Sequence, residues 1–411
     1  MASSSPSMEA PAPPLFSPAF LQRPYPTYRQ CLAGPALQPL PGRPNVWMMF
    51  GYEDCATVIR DSRLSSVRPA SVLVNVPAAE LPEFDDLVSH MQRWLLLTDA
   101  PRHTALRKVM NRGFTPVVVE RLRQAVADIV QRLLNEIEHR ETIDLIKDFA
   151  YPLPVRVICE LLGLPGELHE RCVVLSNDIA VWFGDVQRPA GPARLAQRAV
   201  RELEGYFAAT IALRRSAPKE DLLSLLMEAA QSVGASDEEL YAQCVMLLFA
   251  GHETTRNLIG NGLHSLLEHP AIYREVRADE RLLPSAVEEL LRYETPVQGF
   301  GRTVKTEMEV HGTRLPAGSS LLFMIGAAHR DPRQFADPDR LDVHRTHNRH
   351  LAFGGDAHVC LGSTLARLEG RLAIGAVTQR FADLKLVDEK PDWGTNFAFR
   401  GLNTLRVRPS A

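Results

Sequence analysis

Across residues 115–211 apolar side chains recur at steps of three and four, as in Val119, Leu122, Val126, Ile129 and Leu133. That spacing gathers them on one side of an α-helix, so this half of the chain predicts helix after helix. Ser236-Asp-Glu-Glu239 is a capping box ahead of a long apolar run that Pro270 closes. The run predicts a helix about 50 Å long, the central axis of a domain of this size. Period-two alternation is confined to residues 46–50, to 303–325 with turns at His311-Gly312 and Pro316-Ala-Gly318, and to segments near 384–387 and 404–407. The expected architecture is mainly α with a small β part.

Composition narrows the class of protein. A chain of 411 residues, 45% hydrophobic and 23% charged, can bury a sizeable core, and by length alone would divide into two or three domains. A net charge of −3 gives no general attraction to nucleic acid. The longest apolar run, residues 244–251, is far short of the roughly 18–20 residues needed to span a bilayer. The first residues lack a basic region followed by an apolar one, so no secretory signal is expected and the cytoplasm is the expected location. Of the 30 prolines, 11 fall in the first 44 residues. Residues 1–23 are therefore expected to form an irregular lead-in, its first dozen residues disordered, and residues 24–411 show no later linker. The six cysteines form no Cys-x-x-Cys pair, which excludes a disulfide scaffold and a four-cysteine zinc site.

One cysteine differs from the rest. Cys360 lies in Phe353-Gly-Gly-Asp-Ala-His-Val-Cys-Leu-Gly362, ahead of a helical pattern in which Leu361, Leu365, Leu368 and Leu372 share a face. A sulfur at such a loop-to-helix junction meets the positive end of the helix dipole, which favours thiolate. The glycines let a flat ligand approach closely, and a thiolate so held is a good axial ligand for haem iron. Within the long helix, Ala250-Gly-His-Glu-Thr-Thr255 places an acid beside a threonine that can divert a helix hydrogen bond and open a groove for water.

With these motifs the chain resembles the cytochrome P450 family, haem-thiolate monooxygenases, of the soluble bacterial type. Phe353, Gly354, His358, Cys360 and Gly362 match its haem-binding signature, while Asp356 stands where a second glycine is usual. Asp356 is expected to keep the loop shape through tolerance of a left-handed backbone, and to lower the haem potential slightly or tune partner docking. The resemblance implies haem b (iron protoporphyrin IX) with Cys360 on the iron, and His103, Arg107, Arg302 and His358 on the propionates. Ala250, Phe353 and Gly362 would pack on the ring, and Glu253 and Thr254 would supply the protons that oxygen activation consumes. Glu289-Leu-Leu-Arg292 resembles the family's buried Glu-x-x-Arg, with Arg340 of Asp337-Pro-Asp-Arg340 as its expected third member, a structural trio outside the chemistry. Two metal alternatives fail. His252-Glu253 could open the zinc helix His-Glu-x-x-His, but position 256 is Arg256; His344, His347 and His350 fall in a polar stretch that reads as a solvated loop.

The implied activity is a monooxygenase that uses O2 and two external electrons to hydroxylate or epoxidise a hydrophobic small molecule, in secondary metabolism. The alternatives are a peroxide-driven haem-thiolate peroxygenase and a non-catalytic haem protein. No flavin or iron–sulfur sequence is present, so electrons are expected from a ferredoxin and its NAD(P)H-dependent reductase, docking at Lys108 and Arg112. Substrate contacts are expected from the loop at 66–87, from 181–186, and from Met246, Phe249, Val297, Phe300 and Phe399. Fatty acids, terpenes, macrolides and aromatics all remain open. Haem anchors drawn from both halves of the chain imply one large domain, and a monomer is expected.

Overall fold

The computed structural model describes residues 12–67, 76–184, 190–219 and 221–409. The capping box forms as expected: the Ser236 hydroxyl accepts from the Glu239 amide at 3.3 Å, and the Glu239 carboxylate accepts from the Ser236 amide at 3.0 Å. It opens the helix Asp237–Glu268, which ends ahead of Pro270. Nearly every side chain from Leu240 to Leu267 is buried, because the helix is surrounded. Helices Pro152–Leu161, His169–Gly184, Ala190–Ser216, Leu283–Tyr293 and Ser363–Arg380 all pack on it. The long helix is the axis that the apolar run predicts.

Strands β1 (Leu37–Pro39), β2 (Val46–Met49), β3 (Leu64–Ser65), β4 (Phe300–Val304) and β5 (Ser320–Phe323) form a sheet of order β1-β2-β5-β4-β3. In its register Val46 lies beside Ser320, which lies beside Thr303; Leu322 lies beside Gly301. Alternation puts these residues on one face and Arg302, Leu321 and Phe323 on the other. The hairpin Met308–Val310 with Thr313–Leu315 turns at His311 (φ 49°) and Gly312 (φ 74°), as expected. Strands of two or three residues such as Leu64–Ser65 and Ile143–Asp144 are too short to show a period, and the sequence pattern misses them.

The lead-in is less irregular than its prolines imply. Residues 1–11 lie outside the described residues, but Pro18–Gln22 is a helix whose Ser17 hydroxyl accepts from the Phe20 amide at 3.2 Å. Phe16 meets Phe397 edge-on with centroids 4.6 Å apart, and buried Phe20 packs on Tyr28. Aromatic burial overrides the local breakers here.

Candidate active site

One cavity of about 510 Å³ lies between the central helix, the loop before Ser363–Arg380, and the sheet. From the central helix, Met246, Phe249, Ala250, Gly251 and Thr254 line it. Steps of three and four place them on one helical face. Thr254 Oγ1 donates to the Ala250 carbonyl at 2.9 Å, within a helix that continues without a break. Across the cavity, Val297, Phe300 and Phe399 complete the wall with Phe183, whose ring lies 5.1 Å from that of Phe249. All five expected substrate residues thus meet in one place; parts of the 66–87 and 181–186 segments lie outside the described residues.

Cys360 lines the cavity and is exposed to its interior while enclosed by protein. The loop holding it is closed by the Cys360 amide, which donates to the Phe353 carbonyl at 2.8 Å, and by the Gly354 amide, which donates to Leu351 at 2.9 Å. Gly354 has φ 76°, so the left-handed residue of this loop is a glycine. Asp356 is not among the positive-φ residues, and the expectation that it keeps the loop by left-handed tolerance is replaced by another device. Its carboxylate accepts from the His358 amide at 2.8 Å, closing a side-chain turn. The sulfur departs from expectation too: burial pushes the thiol above its ordinary value, and the Gly362 amide and the Arg107 and Arg367 charges oppose this without reversing it. A positive centre at the sulfur would supply what the helix end does not.

Beside the cysteine stands a basic cluster. The His103 and His358 rings lie 4.0 Å apart, and buried His103 Nε2 has no partner among the described residues. Burial, then the neighbouring His103 and Arg302, push His358 down to about 4. Arg302 is 7% exposed, with the Asp356 carboxylate at 3.4 Å, and Arg107 donates to Asn111 at 3.1 Å. Two arginines beside two histidines that burial keeps neutral, with one carboxylate among them, fit an anionic ligand whose charge would restore the histidines' protons. A Cβ added at Gly251 or at Gly362 would meet no atom within 4 Å, so both glycines leave open the space that a flat group needs. A soft sulfur donor, an open glycine-lined space and two arginines with two histidines beside it together fit an iron porphyrin with two propionates.

Two expected assignments change. Glu253 does not line the cavity; its carboxylate is ion-paired with Arg256 at 3.0 Å and accepts from Asn257 at 3.2 Å. Glu289 and Arg292 are fully buried and bidentate at 2.7 and 2.8 Å, but Arg340 gives only its backbone carbonyl to Arg292 at 3.1 Å. The third member is Arg345, whose Nε donates to Glu289 at 3.1 Å. Arg340 is exposed because its backbone, running past Arg292, turns the side chain outward. Lys108 and Arg112 are exposed as expected. Two cavity residues escape sequence reasoning: Glu369, a buried carboxyl held well above its usual range by desolvation, and Arg43 on the β1–β2 turn. No local motif marks either.

The profile of the family described as Cytochrome P450 matches residues 189–399. The chain is 40% identical to the cytochrome P450 monooxygenase PikC of Streptomyces venezuelae, over 95% of this chain and 92% of that one. It is 37% identical to the 6-deoxyerythronolide B hydroxylase of Saccharopolyspora erythraea, over 89% of this chain and 90% of that one. Among solved structures, the myxobacterial cytochrome P450 CYP267B1 in complex with myristic acid superposes with a TM-score of 0.86 at 35% identity, covering 97% and 99% of the two chains.

Proposed function

The chain belongs to the cytochrome P450 family, and from that premise we propose how its own residues perform a haem-dependent monooxygenation of a hydrophobic small molecule. Haem b, when bound, supplies O2 activation with two electrons delivered from outside the chain. Cys360 Sγ is assigned to the iron, and the basic cluster of His103, Arg107, Arg302 and His358 to the two propionates. Ala250, Gly251, Phe353 and Gly362, which line the cavity, would hold the flat ring.

Thr254 Oγ1 is the group that holds and passes a proton at the cavity wall. Glu253 is its expected source, through opening of the Arg256 pair or a bridging water. Substrate rests against Met246, Phe249, Val297, Phe300 and Phe399, which exclude water and leave one face open to oxidation. Relatives named for polyketide biosynthesis and for vitamin D(3) hydroxylation support a bulky apolar substrate of secondary metabolism, hydroxylated or epoxidised. Among the described residues no helix is long and apolar enough to cross a membrane. A ferredoxin with an NAD(P)H-dependent reductase as electron source, docking through Lys108 and Arg112, a monomeric state and a cytoplasmic setting belong to the same proposal.

The observation that carries this reading is the placing of Cys360 and Thr254 on the walls of one apolar cavity that Arg107, Arg302 and His358 also line. The test is the reduced carbon monoxide spectrum together with turnover. The thiolate-type band and turnover with a surrogate ferredoxin system support the reading. Turnover with hydrogen peroxide alone would instead favour the peroxygenase alternative.

A further inference from the structure

The loop that holds Cys360 is backed by a charged clamp that the chemistry above does not use. Arg367, on the helix Ser363–Arg380, lies with its guanidinium carbon 4.3 Å from the centroid of the Phe353 ring. Glu288, on the helix Leu283–Tyr293, holds that guanidinium with both carboxylate oxygens: Arg367 Nε donates to Oε1 at 2.6 Å and Nη2 donates to Oε2 at 2.8 Å. His350 completes the clamp. Its Nδ1 accepts from the Ala352 amide at 3.3 Å, which leaves Nε2 as the protonated nitrogen, and Nε2 donates to Glu288 Oε2 at 3.1 Å. The His350 ring also lies 5.8 Å from that of Phe353. Phe353 is thus gripped by a guanidinium and an imidazole that share one carboxylate, and its carbonyl accepts from the Cys360 amide at 2.8 Å.

Arg367 differs from the cations assigned to the propionates. Arg107, Arg302 and His358 line the cavity, whereas Arg367 reaches the Cys360 loop from outside it. Of the Glu288–Arg367 pair, it is the guanidinium whose charge acts on the Cys360 sulfur, so the pair turns its positive end to the loop. The two side chains are 30% and 32% exposed, so water moderates the effect without removing it. A fixed cation beside a thiolate draws electron density from it, and a cation near a metal centre favours the state that holds the extra electron.

We propose that Arg367 is a positioning residue for the reaction: stacked on Phe353 and aligned by Glu288 and His350, it sets how strongly the Cys360 sulfur donates to iron and so how readily the first electron is accepted. This deepens the monooxygenase reading and rests on it, since the clamp can tune a reduction only with a metal at the sulfur.

The test is the ferric/ferrous midpoint of the holoenzyme, read by optical titration with mediator dyes at fixed pH, together with the reduced carbon monoxide band. Arg367→Gln removes the cation and should shift the equilibrium toward ferric by at least about threefold at a given applied potential. Glu288→Gln removes the opposing charge and should shift it toward ferrous by a comparable factor. With both substitutions the midpoint should return close to that of the unmodified enzyme, and Arg367→Lys, which keeps the charge, should stay near it too. Opposite signs are the diagnostic, because a loosened loop would move both single variants the same way. Unmoved midpoints, shifts of one sign, or Arg367→Lys displaced as far as Arg367→Gln, in enzymes with an intact carbon monoxide band, would each overturn the proposal. If Arg367→Gln no longer binds haem, Glu288→Gln decides: a raised midpoint supports the proposal, and an unmoved or lowered one overturns it. Absence of the thiolate-type band in the unmodified enzyme would instead remove the haem-thiolate reading on which the proposal stands.

Discussion

Glu253 and Arg256, one turn apart on the central helix, form a closed ion pair in which Nη1 of the guanidinium lies 3.1 and 3.0 Å from the two carboxylate oxygens. Both side chains are buried, and Arg256 is fixed further by the Leu402 carbonyl at 2.9 Å and by the Tyr151 ring at 5.0 Å. Removing one partner leaves a lone buried charge. Arg256→Gln should therefore cost about 3–5 kcal/mol in denaturant unfolding. Glu253→Gln combined with Arg256→Gln should recover most of that loss, since neither charge is left alone. If Glu253 also supplies protons, Glu253→Gln alone should slow turnover by roughly a hundredfold with the carbon monoxide band intact. An unaltered rate would confine the pair to a structural role.

The buried Glu289–Arg292 pair makes a sharper distinction between two nearby arginines. Arg292 donates to the carbonyls of His329, Pro338 and Arg340, while Glu289 accepts from the Asp342 amide, Arg345 and Asn348. Arg340→Ala removes an exposed side chain and keeps the carbonyl, so its expected change is within about 0.5 kcal/mol. Arg345→Ala removes a donor to a buried carboxylate and should cost about 1.5–3 kcal/mol. Equal effects in thermal or urea unfolding would contradict this assignment.

These two cases show where sequence reasoning holds and where it stops. The capping box at Ser236, the Cys360 loop and the Thr254 hydroxyl bond to the Ala250 carbonyl are local, made by residues within a few positions of one another, and the chain order carries them. Arg340 and Arg345 both follow the same turn, and spacing cannot say which guanidinium folds back onto Glu289. Glu253 is next to Thr254 in sequence, but the 100° step between helical neighbours turns it off the cavity wall and onto Arg256. Phe16 and Phe20 sit among prolines that suggest an irregular lead-in, and it is contact with the distant Phe397, beside Tyr28, that gives them a surface to cover. Arg43 belongs to no motif, since its meaning comes from the sheet register that brings it to the cavity.

Asp356 turns inward, 13% exposed at its side chain, toward Arg302 and its own loop. A role in partner docking is thus disfavoured, because so little of the carboxylate reaches the surface. Its charge instead lies within the basic cluster assigned to the propionates. Asp356→Gly should raise the haem reduction potential, because removing a nearby negative charge destabilises the ferric form. The salt dependence of reduction by the ferredoxin should stay unchanged. A fall in the potential, or an altered salt dependence, would count against this placement.

His252 offers a prediction in pH. Its Nδ1 lies 3.0 Å from the Ser176 hydroxyl, its ring packs edge-on to Tyr151 at 4.9 Å, and Nε2 has no partner among the described residues. Burial first, and then the Arg256 charge, push the imidazole down to about 3. An unfolded histidine titrates near 6.5, so between about pH 6.5 and 3 the unfolded chain binds a proton there that the native state does not. Stability contributed by the neutral ring is therefore complete above about pH 6.5 and falls as the pH drops, by up to about 1.4 kcal/mol per unit. Glu288, held at about 2 because hydrogen bonds from Arg367 and His350 together outweigh its burial, loses its contribution only as the pH falls from about 4.5 toward 2, below the pH 5.0 at which the comparison is made. Urea unfolding at pH 7.5 and 5.0 should show the loss in the unmodified protein. In His252→Asn, whatever its absolute stability, the difference between the two pH values should shrink by about 2 kcal/mol, one histidine's share over the 1.5 units below 6.5. An unchanged difference would mean that the ring takes up its proton inside the fold, which its enclosure between Ser176, Tyr151 and the Arg256 cation opposes.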